Sequence, residues 1–257
     1  MLESNFGVLA AALFGSLIGS FLNVCIVRLP ANESVVAPRS RCPQCRKVLA
    51  AYDNIPVLSW IVLGGKCRSC SKPIPVRYPL VELAVAVVFG TSFWYYGFSV
   101  EAGRAALFGT LLLGIGVTDA RAYIIPDEFT WGGLGAGLAF SWVHGFAGFL
   151  DALLGAAVGF GLLYFIAWAG EMALKKEAMG GGDIKMMVMV GSFLGWQGVL
   201  MTLFGGALIG TLVFGPVTLV KKGLLVPFGV FLAAAAAVTF VIGDDILRWY
   251  LGFLTGR

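Results

Sequence analysis

Uncharged apolar runs of about twenty residues recur along this chain, separated by short polar or Gly- and Pro-containing breaks. A helix rises about 1.5 Å per residue, so about 20 such residues cross the hydrocarbon core of a bilayer. Eight runs approach that requirement, at residues 6–27, 79–98, 104–118, 129–147, 150–173, 185–196, 198–220 and 225–243. The sixth is short, and its break at Gly195-Trp196-Gln197-Gly198 reads equally as a kink into the seventh. The pattern therefore predicts an all-α polytopic membrane protein with seven or eight transmembrane helices. Small residues four apart (Gly133 and Gly137, Gly155 and Gly159, Gly206 and Gly210) supply faces on which helix backbones approach closely in lipid.

Composition agrees with this pattern. Of 257 residues, 59% are hydrophobic and 12% charged, and the mean hydropathy is +0.89. A water-soluble domain this apolar could not cover its surface with polar groups, which excludes a soluble enzyme, a disordered chain and a nucleic-acid-binding module. The first run opens Met1-Leu2-Glu3-Ser4-Asn5, without the basic segment of a signal peptide, and reads as a retained span. With eight spans, every Lys and Arg except Arg104, Arg248 and Arg257 falls on one side of the bilayer. The positive-inside rule makes that side the cytoplasm.

One polar stretch is long, between the first and second spans. Three regions result: a first transmembrane helix at 1–28, a cytoplasmic cysteine-knuckle domain at 29–78, and a membrane domain at 79–257. About 50 residues are too few for a self-sufficient core without a staple. Cys42-Pro43-Gln44-Cys45 and Cys67-Arg68-Ser69-Cys70 supply one, as two C-x-x-C knuckles at zinc-ribbon spacing. Cys42, Cys45, Cys67 and Cys70 together complete a tetrahedron around one cation. A disulfide pair is the weaker alternative on a reducing side of the membrane, and a tetrathiolate site accepts iron as well as zinc. Closed coordination leaves no position for water, so the metal is expected to be structural. Cys25, inside the first span, reads as a small buried residue.

The chain has a single histidine, His144, at the far end of the fourth span, so hydrolytic chemistry has to come from carboxylates or cysteines. Asp119 ends the third span and Asp183 opens the sixth, on the same side and at the same depth. Two carboxyls within hydrogen-bonding reach cannot both ionise easily: one keeps its proton and polarises a carbonyl while the other activates water. The helix N-terminus at Asp183 argues that it is the base and Asp119 the acid. Gly180, Gly181 and Gly182 in front of Asp183 would let a substrate backbone approach. Glu82, within the first turns of the second span, reads either as a ligand contact or as a side chain reaching for the interface. Paired intramembrane acids also mark ion paths, so an ion- or proton-coupled transporter is the rival reading.

These residues occur in an ordered set: Gly19-Ser20-Phe21-Leu22-Asn23-Val24, Arg28-Leu29-Pro30, the two knuckles, Arg77-Tyr78-Pro79-Leu80-Val81-Glu82-Leu83, Asp119, Ile125-Pro126-Asp127 and Gly180-Gly181-Gly182-Asp183-Ile184-Lys185. Over nearly its whole length the sequence resembles the type IV prepilin peptidases, aspartyl peptidases of the bacterial inner membrane. The resemblance implies removal of a short basic leader from prepilins or pseudopilins at the cytoplasmic face, with Asp119 and Asp183 catalytic. It also implies N-methylation of the new N-terminus with S-adenosylmethionine as donor; the structural zinc of the insert is expected from the knuckle spacing itself. Since leader and insert are both basic, the acids Asp127, Glu128 and Glu177 are expected to receive the leader.

Overall fold

The computed structural model describes residues 2–175, 179–220 and 226–255. Two compact units divide the chain, Met1–Gly114 and Ile115–Arg257. Among the described residues the regular structure is helical, with two isolated antiparallel bridges, Arg41 to Val48 and Lys66 to Pro73, in the insert.

The first unit is built on α1 (Leu2–Arg28) and α3 (Arg77–Tyr96). Between them runs the insert, with single turns of 3-10 helix at Leu29–Ala31 and Ala51–Asn54 and a short α2 (Leu58–Val62). α1 and α3 lie antiparallel in contact: Gly7 meets Phe98, Gly15 meets Phe89, and Gly19 meets Glu82. A methyl group on Gly19 would stand 2.7 Å from Glu82 Cα, so the two backbones touch there. Phe14 packs edge-on against Phe89 at 5.8 Å. On the other face of α1, Phe6, Leu9, Leu13, Leu17 and Phe21 are exposed, as apolar side chains in contact with lipid would be. Gly97 turns the chain into α4 (Val100–Ala122), whose first turn is capped by Ser99 Oγ accepting the Ala102 N–H.

α4 ends in the second unit. Tyr123 takes a left-handed conformation, and its N–H donates to Asp119 O at 2.9 Å. Pro126 then starts α5 (Asp127–Ser141), followed by a 3-10 turn at Trp142–His144, α6 (Gly145–Leu174), α7 (Gly181–Val220) and α8 (Phe228–Thr255). Inside α7, Gly195 has φ 67° and ψ −178°. Nearly the same angles mark the helix joins at Gly97 (φ 66°, ψ −164°) and Gly145 (φ 73°, ψ −167°).

The contacts on either side show that Gly195 reverses the chain. Residues 181–194 run antiparallel to α6, with Gly191 against Gly155 and Met187 against Gly159. Residues 196–220 run antiparallel to α8, with Met201 against Gly243 and Gly206 against Leu232. α7 and α8 both begin near the end of α4, since Gly182 lies against Ile125 and Gly229 against Asp119. The chain therefore leaves that end at Gly182 and has returned by Gly210, which faces Phe231. Only glycine holds this positive φ without strain.

Six stretches among the described residues are long and apolar enough to cross a membrane, and two of them, Asp127–Ala173 and Gly181–Pro216, are each broken once. Counting each break as a join gives eight helical stretches among the described residues, the upper of the two expected numbers. Some boundaries differ. α5 stops at Ser141 rather than running to 147, and α8 continues to Thr255 rather than ending at 243. Charges ended the expected span at Asp244, but an i,i+3 pair of Arg248 with Asp245 at 2.8 Å is compatible with continued helix. Among the expected small-residue faces, Gly155, Gly159, Gly137 and Gly206 all lie at helix contacts.

This register predicts opposite effects at two glycines of α6. A side chain at Gly155 would meet Gly195 Cα at 2.7 Å and the Gly191 carbonyl, whereas one at Gly161 meets nothing within 4 Å. Gly155→Val should cost about 3 kcal/mol through overpacking, and Gly161→Ala should gain about 0.5–1 kcal/mol in a helix interior. Thermal unfolding in detergent reads both, and an unshifted midpoint for Gly155→Val would contradict the α6–α7 contact.

Candidate functional site

Asp119 sits one turn before the end of α4 and is 6% exposed. Its Oδ2 accepts the Val230 N–H, in the first turn of α8, at 3.1 Å. That approach depends on Gly229, where a methyl group would stand 2.9 Å from Oδ2 and 2.8 Å from Ile125 Cδ1. Asp183 lies in the first turn of α7, and its N–H donates to Gly180 O at 3.1 Å.

Ile125 connects the two acids. Its side chain fills the space left by Gly182 next to Asp183 and the space left by Gly229 next to Asp119. Around this wedge the two acids stand on either side of one side chain. Both also face the start of a helix, Asp183 that of α7 and Asp119 that of α8. The N-terminal field that singled out Asp183 as base in the sequence therefore acts on both acids.

The three glycines before Asp183 have different surroundings. Gly181 borders open space, and Gly180 has only Asp183 Oδ2 nearby, at 3.4 Å. Gly182 packs on Ile125, with its would-be methyl 3.0 Å from Ile125 Cβ. In the first turn of α5, Asp127 accepts Lys185 Nζ at 2.7 and 2.8 Å on its two oxygens, while Glu128 is exposed. Glu177 lies outside the described residues. His144 stands at the opposite end of α5 from the acids.

Sequence reasoning missed Val230 and Gly229, which no spacing rule connects to Asp119, and the Lys185–Asp127 pair. Ile125 was legible only as part of a motif, not as the residue on which the two acids converge.

In the insert the two knuckles are copies of one local fold. Cys42 N–H donates to Lys47 O and Arg46 N–H to Cys42 O; likewise Cys67 N–H donates to Lys72 O and Ser71 N–H to Cys67 O. Arg46 and Ser71, each following the second cysteine of its knuckle, both take positive φ. The four sulfurs lie within 4.8 Å of one another, with Cys42 and Cys70 at 3.9 Å. Thiolates about 2.3 Å from a tetrahedral metal stand about 3.8 Å apart, so the donor set fits a single cation. Backbone N–H groups of Ser69 and then Cys70 bring the Cys67 thiol down to about 7, while the Cys70 thiol, against the pull of the Lys72 N–H, is pushed up to about 11 by burial and the neighbouring sulfurs. Arg68 braces the second knuckle, donating from Nε and Nη2 to Asp53 at 2.8–3.1 Å.

Helices long and apolar enough to cross a bilayer, with an acid pair at one end of them, describe a polytopic membrane protein with a candidate two-carboxylate site. Residues 13–96 match the bacterial peptidase A24 N-terminal domain, and residues 106–215 match the type IV leader peptidase family. A prepilin leader peptidase/N-methyltransferase of Stutzerimonas stutzeri is 37% identical over 96% of this chain and 94% of its own length. Its counterpart in Pseudomonas aeruginosa is 36% identical over the same shares. That of Myxococcus xanthus is 41% identical over 82% of this chain and 64% of its own length. No solved structure matches. The chain belongs to the type IV leader peptidase family.

The knuckle geometry predicts that Cys67→Ser, which removes one of four converging donors, abolishes the metal that copurifies with the protein. Elemental analysis of the purified chain reads this directly, and undiminished metal would remove the four-cysteine assignment.

Proposed function

We propose that this protein is an aspartyl endopeptidase of the bacterial inner membrane that removes the basic leader of type IV prepilins or pseudopilins and N-methylates the new N-terminus. The observation that carries the reading is the convergence of Asp119 and Asp183 on Ile125, at one end of the helices, beside the open face of Gly181. The names of the relatives support both activities, and none supports an ion- or proton-coupled transporter.

The substrate's apolar helix lies in the bilayer beside the spans, with its leader junction at the depth of the acids. The scissile carbonyl enters next to Gly181, where no side chain obstructs a backbone. One carboxyl holds its proton and donates a hydrogen bond to the carbonyl oxygen. The other, ionised, takes a proton from water as the oxygen attacks the carbonyl carbon. Collapse of the tetrahedral species breaks the C–N bond, and the leaving amine takes a proton from the acid pair. Val230 N–H holds Asp119 in place throughout. Because Asp127 is engaged by Lys185, Glu128 is, among the described residues, the acid that receives the basic leader on the cytoplasmic side. Cys42, Cys45, Cys67 and Cys70 hold a zinc ion whose part is to fix the insert. S-adenosylmethionine, when bound, supplies an electrophilic methyl group.

Asp119→Asn and Asp183→Asn should each lower leader cleavage of a reconstituted prepilin by about 10²–10⁴-fold, the range of a lost general acid or base, while methylation of an already cleaved substrate continues. Cleavage retained by both variants would refute the peptidase assignment. In the same assay, Glu128→Gln should raise KM at low salt and lose that effect at high salt, where the leader's charge is screened; a KM indifferent to the change at low salt would exclude Glu128.

A further inference from the structure

The acid pair draws on the second unit alone. It leaves unused two stretches that the sequence singled out, Gly19-Ser20-Phe21-Leu22-Asn23 on α1 and Arg77-Tyr78-Pro79-Leu80-Val81-Glu82 at the start of α3. In the first unit these two stretches meet. Gly19 brings α1 onto α3 at Glu82, and Asn23 Nδ2 fastens them by donating to Tyr78 O at 2.9 Å. Next to this junction opens a cavity of about 360 Å³, walled on its other sides by the knuckle insert, including Ile55, Trp60 and Leu63. Small-molecule sites begin at about 300 Å³.

Glu82 lines this cavity and is 9% exposed. Its Oε2 accepts the Val57 N–H at 2.8 Å, and Ser20 lines the same cavity. Among the described residues no cation pairs with it. The other acids of the cavity wall differ: Asp53 is paired with Arg68, and Glu33 lies 3.8 Å from Arg41. Arg28, also in the wall, gives its guanidinium to the carbonyls of Ser34 and Pro38, both at 2.8 Å. A carboxylate taken out of water with only neutral donors is costly, most of all at a membrane, and the cost is recovered when a cation meets it. Trp60, whose indole N–H is tied to Ile74 O at 3.1 Å, adds an aromatic ring of the kind that favours cations and stacks on heterocycles.

We infer that this cavity is the methyl-donor site, with the Glu82 carboxylate facing the positively charged sulfonium of S-adenosylmethionine. The inference rests on the methyltransferase activity proposed above. In the transfer, the neutral N-terminal amine of the processed substrate attacks the methyl carbon. An N–C bond forms, the S–C bond breaks with its electron pair passing to sulfur, and the methylated ammonium gives up a proton to water. Glu82 then faces a neutral thioether and loses its hold on the product.

Equilibrium binding to the full chain in detergent, measured with labelled S-adenosylmethionine and S-adenosylhomocysteine, tests this without relying on turnover. The native chain should bind the sulfonium at least about tenfold more tightly than the neutral thioether, the factor expected of one buried charge contact. Glu82→Gln, which keeps the shape of the side chain, should remove most of that preference and leave leader cleavage unchanged, showing that the variant is folded. Val24→Phe, which fills the apolar side of the cavity, should weaken both ligands together. Native binding that ignores the charge, or donor binding undisturbed by both substitutions, overturns the inference. So does an equal loss for both ligands in Glu82→Gln, because that would place the carboxylate at the ammonium group they share. A native chain that binds the donor but cleaves no leader would defeat the peptidase reading and leave this one standing; one that cleaves leader but binds no donor would do the reverse.

Discussion

A carboxyl group near the rim of a bilayer has to find its hydrogen bonds inside the protein, and in this chain that constraint decides which helices meet. Asp119 is nearly out of contact with solvent, and the first turn of α8 supplies Val230 N–H to it. Because that N–H must come within 3.1 Å, the residue before it has to be glycine; because Gly229 has no side chain, Ile125 can reach across to Gly182 and hold Asp183 in the same place. A loop isoleucine and two glycines thus bring together acids that belong to different helices. Without the apolar wedge the two charges would have no reason to stay close, since like carboxylates repel.

The same constraint recurs in the first unit with a different outcome. Glu82 also sits where water is scarce and also accepts a backbone N–H, but no second acid is supplied to share its charge. Instead, the space next to it is open and walled by the insert that the cysteines organise. Residues of the knuckle insert form the wall of this cavity, while α1 and α3 provide its floor. Four converging cysteines suit this task, because a cation held among them would give a small segment a rigid shape without a core of its own.

Much of this was legible in the residues. Apolar run length gave seven or eight helices, since crossing a bilayer is a local requirement that each segment meets alone. The cysteine spacing gave the cluster, since each C-x-x-C is a local turn aimed at one point. The break near Gly195 was visible, but whether it bends or reverses the chain was not, because that depends on which helices residues 181–194 and 196–220 pack against. The limits of α5 and α8 were misread for a related reason: helix ends follow capping and ion pairs, while the expectation followed hydropathy.

At the acid pair the division is sharp. The string of residues determined that Asp119 and Asp183 occur at span ends on one side, and that glycines precede one of them. Only the folded arrangement decided that Val230 bonds to Asp119, that Ile125 joins the two sites, that Gly182 is a packing residue while Gly181 is open, and that Asp127 is already held by Lys185. The reason is physical. Span length, turn formation and knuckle geometry are properties of neighbouring residues, whereas the partner of a buried charge is chosen by helix packing, which pairs residues more than a hundred positions apart.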